Sequence, residues 1–170
     1  MAALQVTIDT NVLIDGLDGV SEKRAAFDAL LSLRREGKVE IALSTRLEQD
    51  KSNDSDVDRI RRHYEAAASF DVIGAPARIE VSRIGSRDVI ADGEQANRLA
   101  KLFGVEKPAT ANKHTLWDVD HLYAHWSDRR NVFLTYDRPI LNKRGGLKDA
   151  GIVVMDPREF IAQFMIGPQA

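Results

Sequence analysis

The 170-residue sequence contains no cysteine. Disulfide bonds and thiolate metal sites are therefore excluded, and the absence is consistent with a reducing cytoplasm. The chain also has no apolar run close to the ~20 residues that a membrane-spanning helix needs. Its first residues, MAALQVTID, lack the basic and apolar regions of a signal peptide. We expect a cytoplasmic protein without membrane association.

The chain also has a small net charge and few aromatic residues. The formal net charge is −2 and aromatic residues make up 6% of the chain. A near-neutral total neither announces nor excludes a nucleic-acid partner, because a local basic rim can act where the total charge is small. No stretch interleaves basic and aromatic residues in the manner of an RNA-binding motif, so any RNA specificity cannot be read from the chain.

What the chain does contain is an alternation of apolar strands and amphipathic helices. Hydrophobic residues make up 44%, and the length fits a single domain. Apolar runs predict strands at residues 4–8, 39–43, 132–134 and 152–155, with a hairpin or one extra strand within residues 71–86. Helical spacing predicts helices at residues 22–36, 46–50, 58–70, 94–104, 116–128 and 157–165. This order predicts an α/β fold on a mainly parallel sheet, because parallel strands need crossover connections.

Acidic and polar side chains follow several of the predicted strands. Asp9 comes directly after the first strand, and Asp137 follows the strand at residues 132–134 with Thr135 between. Ser44 follows the second strand, and Glu48 shares its helix face four residues later. In open α/β sheets, ligands bind outside the carboxyl ends of the strands. These side chains are therefore predicted to meet on one rim.

A further acid is predicted from the helix that precedes residues 132–134. Asp118 and Asp120 are both candidates, but residues two apart do not share a helix face. Asp120 is preferred because Ala124, four residues later, gives it an inward-facing neighbour.

Each acid also has a purely structural explanation, since Asp9 and Asp137 could be helix N-caps and Pro139 suits a first helical turn. A cluster of carboxylates, however, repels itself, and a divalent cation removes that repulsion. Oxygen ligands without cysteine suit Mg²⁺ or Mn²⁺. Such ions support phosphoryl transfer to water.

At these residues the chain resembles the PIN-domain nucleases. The matching stretches are VTIDTNVLIDGL, IALSTRLE, DVDHLYAHW, FLTYDRPIL and AGIVVMDPREFI. The resemblance covers roughly residues 1–50 and 117–164, and it leaves a divergent middle segment at about 52–115. It implies one PIN-like domain over residues 1–170, an α/β/α sandwich, dependence on Mg²⁺ or Mn²⁺, and endonucleolytic cleavage of RNA.

The resemblance also assigns roles by position. Four acids become the catalytic, metal-binding set: Asp9, Glu48, Asp120 and Asp137. Three polar residues become supports of that set: Asn11, Ser44 and Thr135. Glu48 is the weakest transfer because Asp50 lies close by. Many relatives are toxins of bacterial toxin–antitoxin pairs and many dimerise, so an antitoxin partner and a homodimer are expectations of the resemblance alone.

Flanking phosphates of an RNA need cations near the rim. Arg138, Lys143 and Arg144 are the best candidates because they follow Asp137 closely.

Three other interpretations remain open. His121 and His125 have a spacing able to bind zinc, but the HExxH form is absent. A haloacid-dehalogenase-type phosphatase also begins with a strand-end Asp, but it needs a second Asp where this chain has Asn11. A non-catalytic RNA- or protein-binding domain on the same fold is the third interpretation.

Overall fold

A computed structural model describes residues 2–19, 21–44, 56–76, 93–106 and 112–166. Along the chain the elements are β1 (Leu4–Ile8), α1 (Thr10–Asp18), α2 (Ser21–Arg35), β2 (Val39–Ser44), α3 (Val57–Ala67), β3 (Asp71–Ile73), α4 (Gly93–Leu102), α5 (Lys113–Ser127), β4 (Val132–Leu134), α6 (Arg138–Leu141), α7 (Arg144–Asp149), β5 (Val154–Met155) and α8 (Pro157–Ile166).

The strands form one sheet in the order β3-β2-β1-β4-β5, and every pairing is parallel. This confirms the predicted parallel α/β sheet. The chain builds outward from β1 in one direction through β2 and β3, then in the other through β4 and β5. The strand order therefore reverses between β1 and β4, and their carboxyl ends border the crevice where ligands bind in sheets of this kind.

Side chains that alternate along the strands supply a core on each face of the sheet. Val6, Ile8 and Leu134 pack with Phe27 of α2 and Phe160 of α8. On the other face, Phe133 of β4 packs with residues of α4, α5, α6 and α7, including Leu99, Leu122, Ile140 and Leu147. Helices thus cover both faces of the sheet, which is the α/β/α arrangement.

Two glycines account for details of this packing. Gly37 has a φ of +69° just after α2, a conformation that glycine adopts without strain, and it is where the predicted helix ends. At Gly16 an added Cβ would lie 2.3 Å from the ring of Phe27. Glycine at this position therefore lets α1 approach α2 closely.

The element boundaries differ from the predictions where capping side chains decide them. Helix α5 begins at Lys113, three residues earlier than predicted, because the Asn112 side chain accepts from the His114 backbone N–H at 2.9 Å. Helix α3, predicted to start at residue 58, starts at Val57 and is capped by Asp56. The predicted helix at residues 46–50 and the later part of the possible hairpin, residues 77–86, lie outside the described residues. In the described part of the chain, no helix is long and apolar enough to cross a membrane.

Candidate active site at the carboxyl ends of β1 and β4

The first strand ends in a carboxylate that other groups hold in place. Asp9 is only 6% exposed, and its Oδ1 accepts from the Thr10 backbone N–H at 2.7 Å. Its Oδ2 accepts from the Asn11 amide at 2.7 Å and from the Thr135 hydroxyl at 2.6 Å. Asp9 therefore does cap α1, as its structural explanation proposed. Its Oδ2, however, accepts from Asn11 and from Thr135, and Thr135 directly follows the neighbouring strand β4.

Asn11 and Thr135 join the ends of β1 and β4 into one hydrogen-bonded unit. The Asn11 amide nitrogen also donates to the Thr135 hydroxyl at 3.1 Å, and its oxygen accepts from the Tyr136 backbone N–H at 3.1 Å. The Thr135 hydroxyl accepts in turn from the Asp137 backbone N–H at 2.9 Å. These contacts bring together four predicted site residues and fix the rotamer of Asn11.

Asp137 occupies the N-cap position of α6, yet its carboxylate makes no capping hydrogen bond. Among the described residues, no basic side chain forms an ion pair with it. Partial burial raises the pKa of Asp137, and the charge of Asp9 raises it further. The N-cap explanation therefore does not account for this carboxylate, and its electrostatic environment is one that a cation would relieve.

The rim opens into a cleft of about 220 Å³. Its lining residues are Asp9, Thr10, Asn11, Ile14, Asp118, His121 and Asp137. Carboxylates from β1, α5 and the segment after β4 thus face one space. Asp9 and Asp137, which the sequence places on one rim, therefore line the same cleft, and their predicted catalytic role stays a prediction.

Asp118 lines the cleft, whereas Asp120 is not among its lining residues. The choice of Asp120 as the functional acid stays a prediction. Asp120 is 0% exposed. Ala124, whose spacing supported Asp120, packs with Ala42, Ile73 and Ala75 beneath the β2–β3 side of the sheet. The spacing from Asp120 to Ala124 therefore marks a buried face of α5. The opposite spacing, from Asp118 to His121, would have identified the cleft face of α5.

Ser44 contacts the site through His121, one of the two histidines with a spacing able to bind zinc. The Ser44 hydroxyl and Nδ1 of His121 lie 2.5 Å apart. His121 is 3% exposed and lines the cleft. The end of β2 is thereby linked to α5. Glu48 and its neighbour Asp50 lie outside the described residues, so the role predicted for Glu48 stays a prediction.

The zinc interpretation fails on the second histidine. His125 is 0% exposed, and its Nδ1 lies 2.9 Å from the Thr7 hydroxyl. Burial lowers the pKa of His125 to about 3, and the charge of Arg130 contributes. His125 is thus a neutral residue packed against the sheet. Across the described ranges, no three His, Asp or Glu side chains form a group that could hold a metal ion.

A magnesium ion does not require such a group. Mg²⁺ is usually bound through one or two carboxylates, and waters and substrate phosphates complete its shell. Asp9 and Asp137 supply two carboxylates, and Asp118 supplies a third on another wall of the cleft. The site contains oxygen ligands and no thiolate. This donor set fits a hard divalent cation.

The three predicted RNA-binding cations lie in different environments. Arg138 is exposed directly beside Asp137. The Lys143 ammonium lies 5.2 Å from the centre of the Phe103 ring. Arg144 forms an ion pair with Glu159 at 3.0 Å. Arg138 is therefore the most available of the three for a phosphate near the cleft.

Comparison with known proteins adds no assignment, since no family model matches the chain and no curated protein matches it.

Proposed function

We propose that this protein is a metal-dependent endoribonuclease of the PIN type that hydrolyses phosphodiester bonds in RNA. The observation that carries the proposal is the pair Asp9 and Asp137 at the strand-order reversal. One carboxylate is fixed by three donors, and the other has a raised pKa beside it. Perturbed acids in a cleft at this point of an α/β sheet are characteristic of functional sites.

The chain's own residues divide the work. Asp9 and Asp137 would hold a Mg²⁺ or Mn²⁺ ion, with Asp118 also lining the cleft, and Asn11 and Thr135 keep the Asp9 carboxylate oriented. The ion, when bound, supplies positive charge to the phosphate and makes water a better nucleophile. Asp120 becomes the less favoured acid, and Glu48 keeps its predicted place in the set.

RNA is the proposed substrate because a bound cation would reverse the negative potential of the cleft and attract a phosphate. Arg138 and Lys143 are proposed to hold phosphates that flank the cut, and Arg144 does so less because Glu159 neutralises it. We propose a cytoplasmic setting for this reaction, in keeping with the absence of cysteine.

An antitoxin partner and a homodimer are further proposals that rest on the PIN resemblance. The neighbouring gene tests the first: a short upstream reading frame with a DNA-binding N-terminus supports a toxin–antitoxin pair. Sedimentation of the purified chain tests the second, and a monomer at all concentrations would contradict it.

The central test is cleavage of a broad RNA panel with Mn²⁺, with and without EDTA. We expect cleavage that EDTA abolishes and that Asp9→Asn lowers by more than about a hundredfold, beyond the loss typical of groups that only orient a ligand. Asp156→Asn is the matched control. It removes the same charge from a strand-end N-cap whose carboxylate is already paired with Arg158, and we expect it to leave cleavage unchanged.

The rival functions predict different outcomes. Hydrolysis of p-nitrophenyl phosphate without RNA cleavage would favour the phosphatase. That outcome is not expected, because Asn11 stands where the second acid would be and its amide contacts Asp9, Thr135 and Tyr136. RNA binding without cleavage of any member of the panel would favour the non-catalytic domain.

A further inference from the structure

Helix α5 carries an aromatic pair just before the residues that line the cleft. His114 and Trp117 contact each other edge to face, with ring centres 5.1 Å apart and planes at 83°. Residues three and four apart share a helix face. His114, Trp117, Asp118 and His121 therefore follow one another along the face of α5 that reaches the cleft.

The two tryptophans of the chain are both partly exposed, but they differ in what they pack against. His114 is exposed and Trp117 is half-buried. Trp126, also half-buried, packs against the second core, with its ring centre 5.7 Å from that of Tyr123. Trp117 belongs to none of the hydrophobic clusters that the described residues form. One tryptophan thus packs against the core, and the other directly precedes Asp118, which lines the cleft.

The geometry points to the His114–Trp117 pair as a stacking platform for one base of a single-stranded RNA whose phosphate lies in the cleft. This inference rests on the proposed nuclease function and adds a base-binding subsite to it. Single-stranded RNA is recognised largely by stacking of splayed bases on aromatic side chains. Any base can stack in this way, because every base has a π-face.

The position of the pair supports this occupant. His114 precedes Asp118 by four residues, which is about 6 Å along the helix axis, so the platform continues directly from the cleft. Lys113, exposed at the start of α5, adds a positive charge beside the rings. An apolar, weakly basic surface next to an acidic metal cleft matches a nucleotide, which has a flat apolar base and an anionic backbone.

Tryptophan fluorescence tests the stacking directly, since the chain has only two tryptophans. An Asp9→Asn protein that also carries Trp126→Phe reports on Trp117 alone and does not consume the RNA. A matched Asp9→Asn protein with Trp117→Phe reports on Trp126. We expect a short single-stranded RNA to quench Trp117 saturably and to leave Trp126 unchanged. Equal quenching of both, or quenching of neither, would overturn the platform.

Binding measurements separate stacking from simple apolar contact. Trp117→Leu keeps an apolar side chain without a ring, and we expect it to weaken RNA binding by about tenfold. Trp117→Tyr restores a ring and should recover most of that loss. An RNA with one abasic position beside the phosphate in the cleft should bind the wild-type protein about tenfold more weakly than the intact RNA does. The Trp117→Leu variant should bind the abasic and the intact RNA equally. Equal losses for Leu and Tyr would contradict stacking.

Failure of this inference and failure of the nuclease proposal give different results. Quenching of Trp117 without RNA cleavage by the wild-type chain would leave a base-binding platform on a non-catalytic domain. Metal-dependent cleavage with a KM that Trp117→Leu does not raise would leave a nuclease without the platform.

Discussion

Two aspartates that follow strands lie on the same rim of the sheet, and their pKa values are shifted in opposite directions. Asp137 follows β4 in the sequence Asp137-Arg138-Pro139, and Asp156 follows β5 in Asp156-Pro157-Arg158. Each is the residue before a helix. The two segments contain the same three residue types, and only the order of arginine and proline differs.

That order decides whether the carboxylate is neutralised. Arg158, the second residue of α8, donates to Asp156 from Nε at 3.0 Å, from its terminal nitrogen at 2.7 Å and from its backbone N–H at 2.8 Å. Burial raises the pKa of Asp156, but these hydrogen bonds and the arginine charge outweigh burial and lower it overall. Arg138 is the first residue of α6 and is exposed.

Asp137 therefore keeps a carboxylate without a cationic partner among the described residues, and its pKa is raised. The comparison shows that a strand end places an acid on the rim, whereas the neighbouring residues decide whether its carboxylate is paired within the fold or keeps a raised pKa. A carboxylate that is paired with an arginine, as Asp156 is, has no remaining need of a metal ion.

The largest expected effect is on RNA cleavage by charge-removing substitutions at the two positions. Asp137→Asn should lower the metal-dependent rate by more than about a hundredfold, since it removes a proposed ligand and not only a group that orients one. Asp156→Asn should leave the rate within about twofold, because α8 keeps an Asn cap. Initial rates at saturating Mn²⁺ provide the measurement, and equal losses in the two variants would show that the comparison has no functional meaning.

A second pair of acids sharpens the same contrast on α5. Asp118→Asn should reduce cleavage by about a hundredfold, since Asp118 lines the cleft and metal-held acids exceed orienting groups in their effect. Asp120→Asn should retain metal-dependent cleavage, although its site is 0% exposed and the variant can lose stability. Manganese titrations of both variants, with circular dichroism as the control for folding, distinguish them. The reverse result would restore Asp120 as the acid of the site.

The parallel sheet could be predicted because strands and helices alternate along the chain, and short stretches of sequence are enough to identify each of them. Parallel pairing brings Asp9 and Asp137 to one edge whatever the details of packing, so these positions could be predicted. The choice between Asp118 and Asp120 could not, because both helix faces are covered and each has a plausible neighbour. Ala124 marks an inward face, but the sequence does not say whether that face meets the sheet or the cleft.

Side-chain partners were also beyond the sequence. The hydrogen bond from Thr135 to Asp9 joins residues 126 positions apart, and Ser44 meets His121 across 77 positions. The contrast between the Asp-Arg-Pro and Asp-Pro-Arg segments is local and could have been noticed. Its consequence depends on the helix boundaries, because Arg158 at the second helical position contacts the N-cap carboxylate, whereas Arg138 at the first position does not pair with Asp137 among the described residues.

Exchange of the two residues after Asp137 tests that reading. In the double variant Arg138→Pro/Pro139→Arg, arginine occupies the second position of α6, as it does in α8, and proline occupies the favoured first position. The new arginine should pair with Asp137, lower its pKa and compete with the metal ion. We expect cleavage to fall by about tenfold and the Mn²⁺ concentration for half-maximal rate to rise.

Arg138→Ala alone is the matched control for the exchange, since it removes the cation without relocating it. It should raise KM for RNA without changing the Mn²⁺ requirement. An exchange variant that behaves like Arg138→Ala would show that the order of the two residues does not control the charge state of Asp137.

The smallest expected effect is on thermal stability, and it has opposite signs at the two aspartates. A raised pKa means that ionised Asp137 costs stability above its folded-state pKa, and this cost disappears as the pH falls toward the ordinary value of 3.8. A lowered pKa means that ionised Asp156 contributes stability above 3.8, which is lost as the pH falls through its folded-state value.

At pH 7 without metal, Asp137→Asn should therefore raise Tm. Asp156→Asn should lower Tm by up to about 2–4 °C, since its pair with half-exposed Arg158 contributes about 1 kcal/mol at most. Thermal melts at pH 7 and pH 4 provide the measurement. The Asp137→Asn difference should shrink at pH 4, whereas the Asp156→Asn difference should largely persist, because pH 4 still lies above the window in which that contribution is lost. Shifts of the same sign at pH 7 would mean that Asp137 is as well compensated as Asp156, and its proposed need for a cation would lose its physical basis.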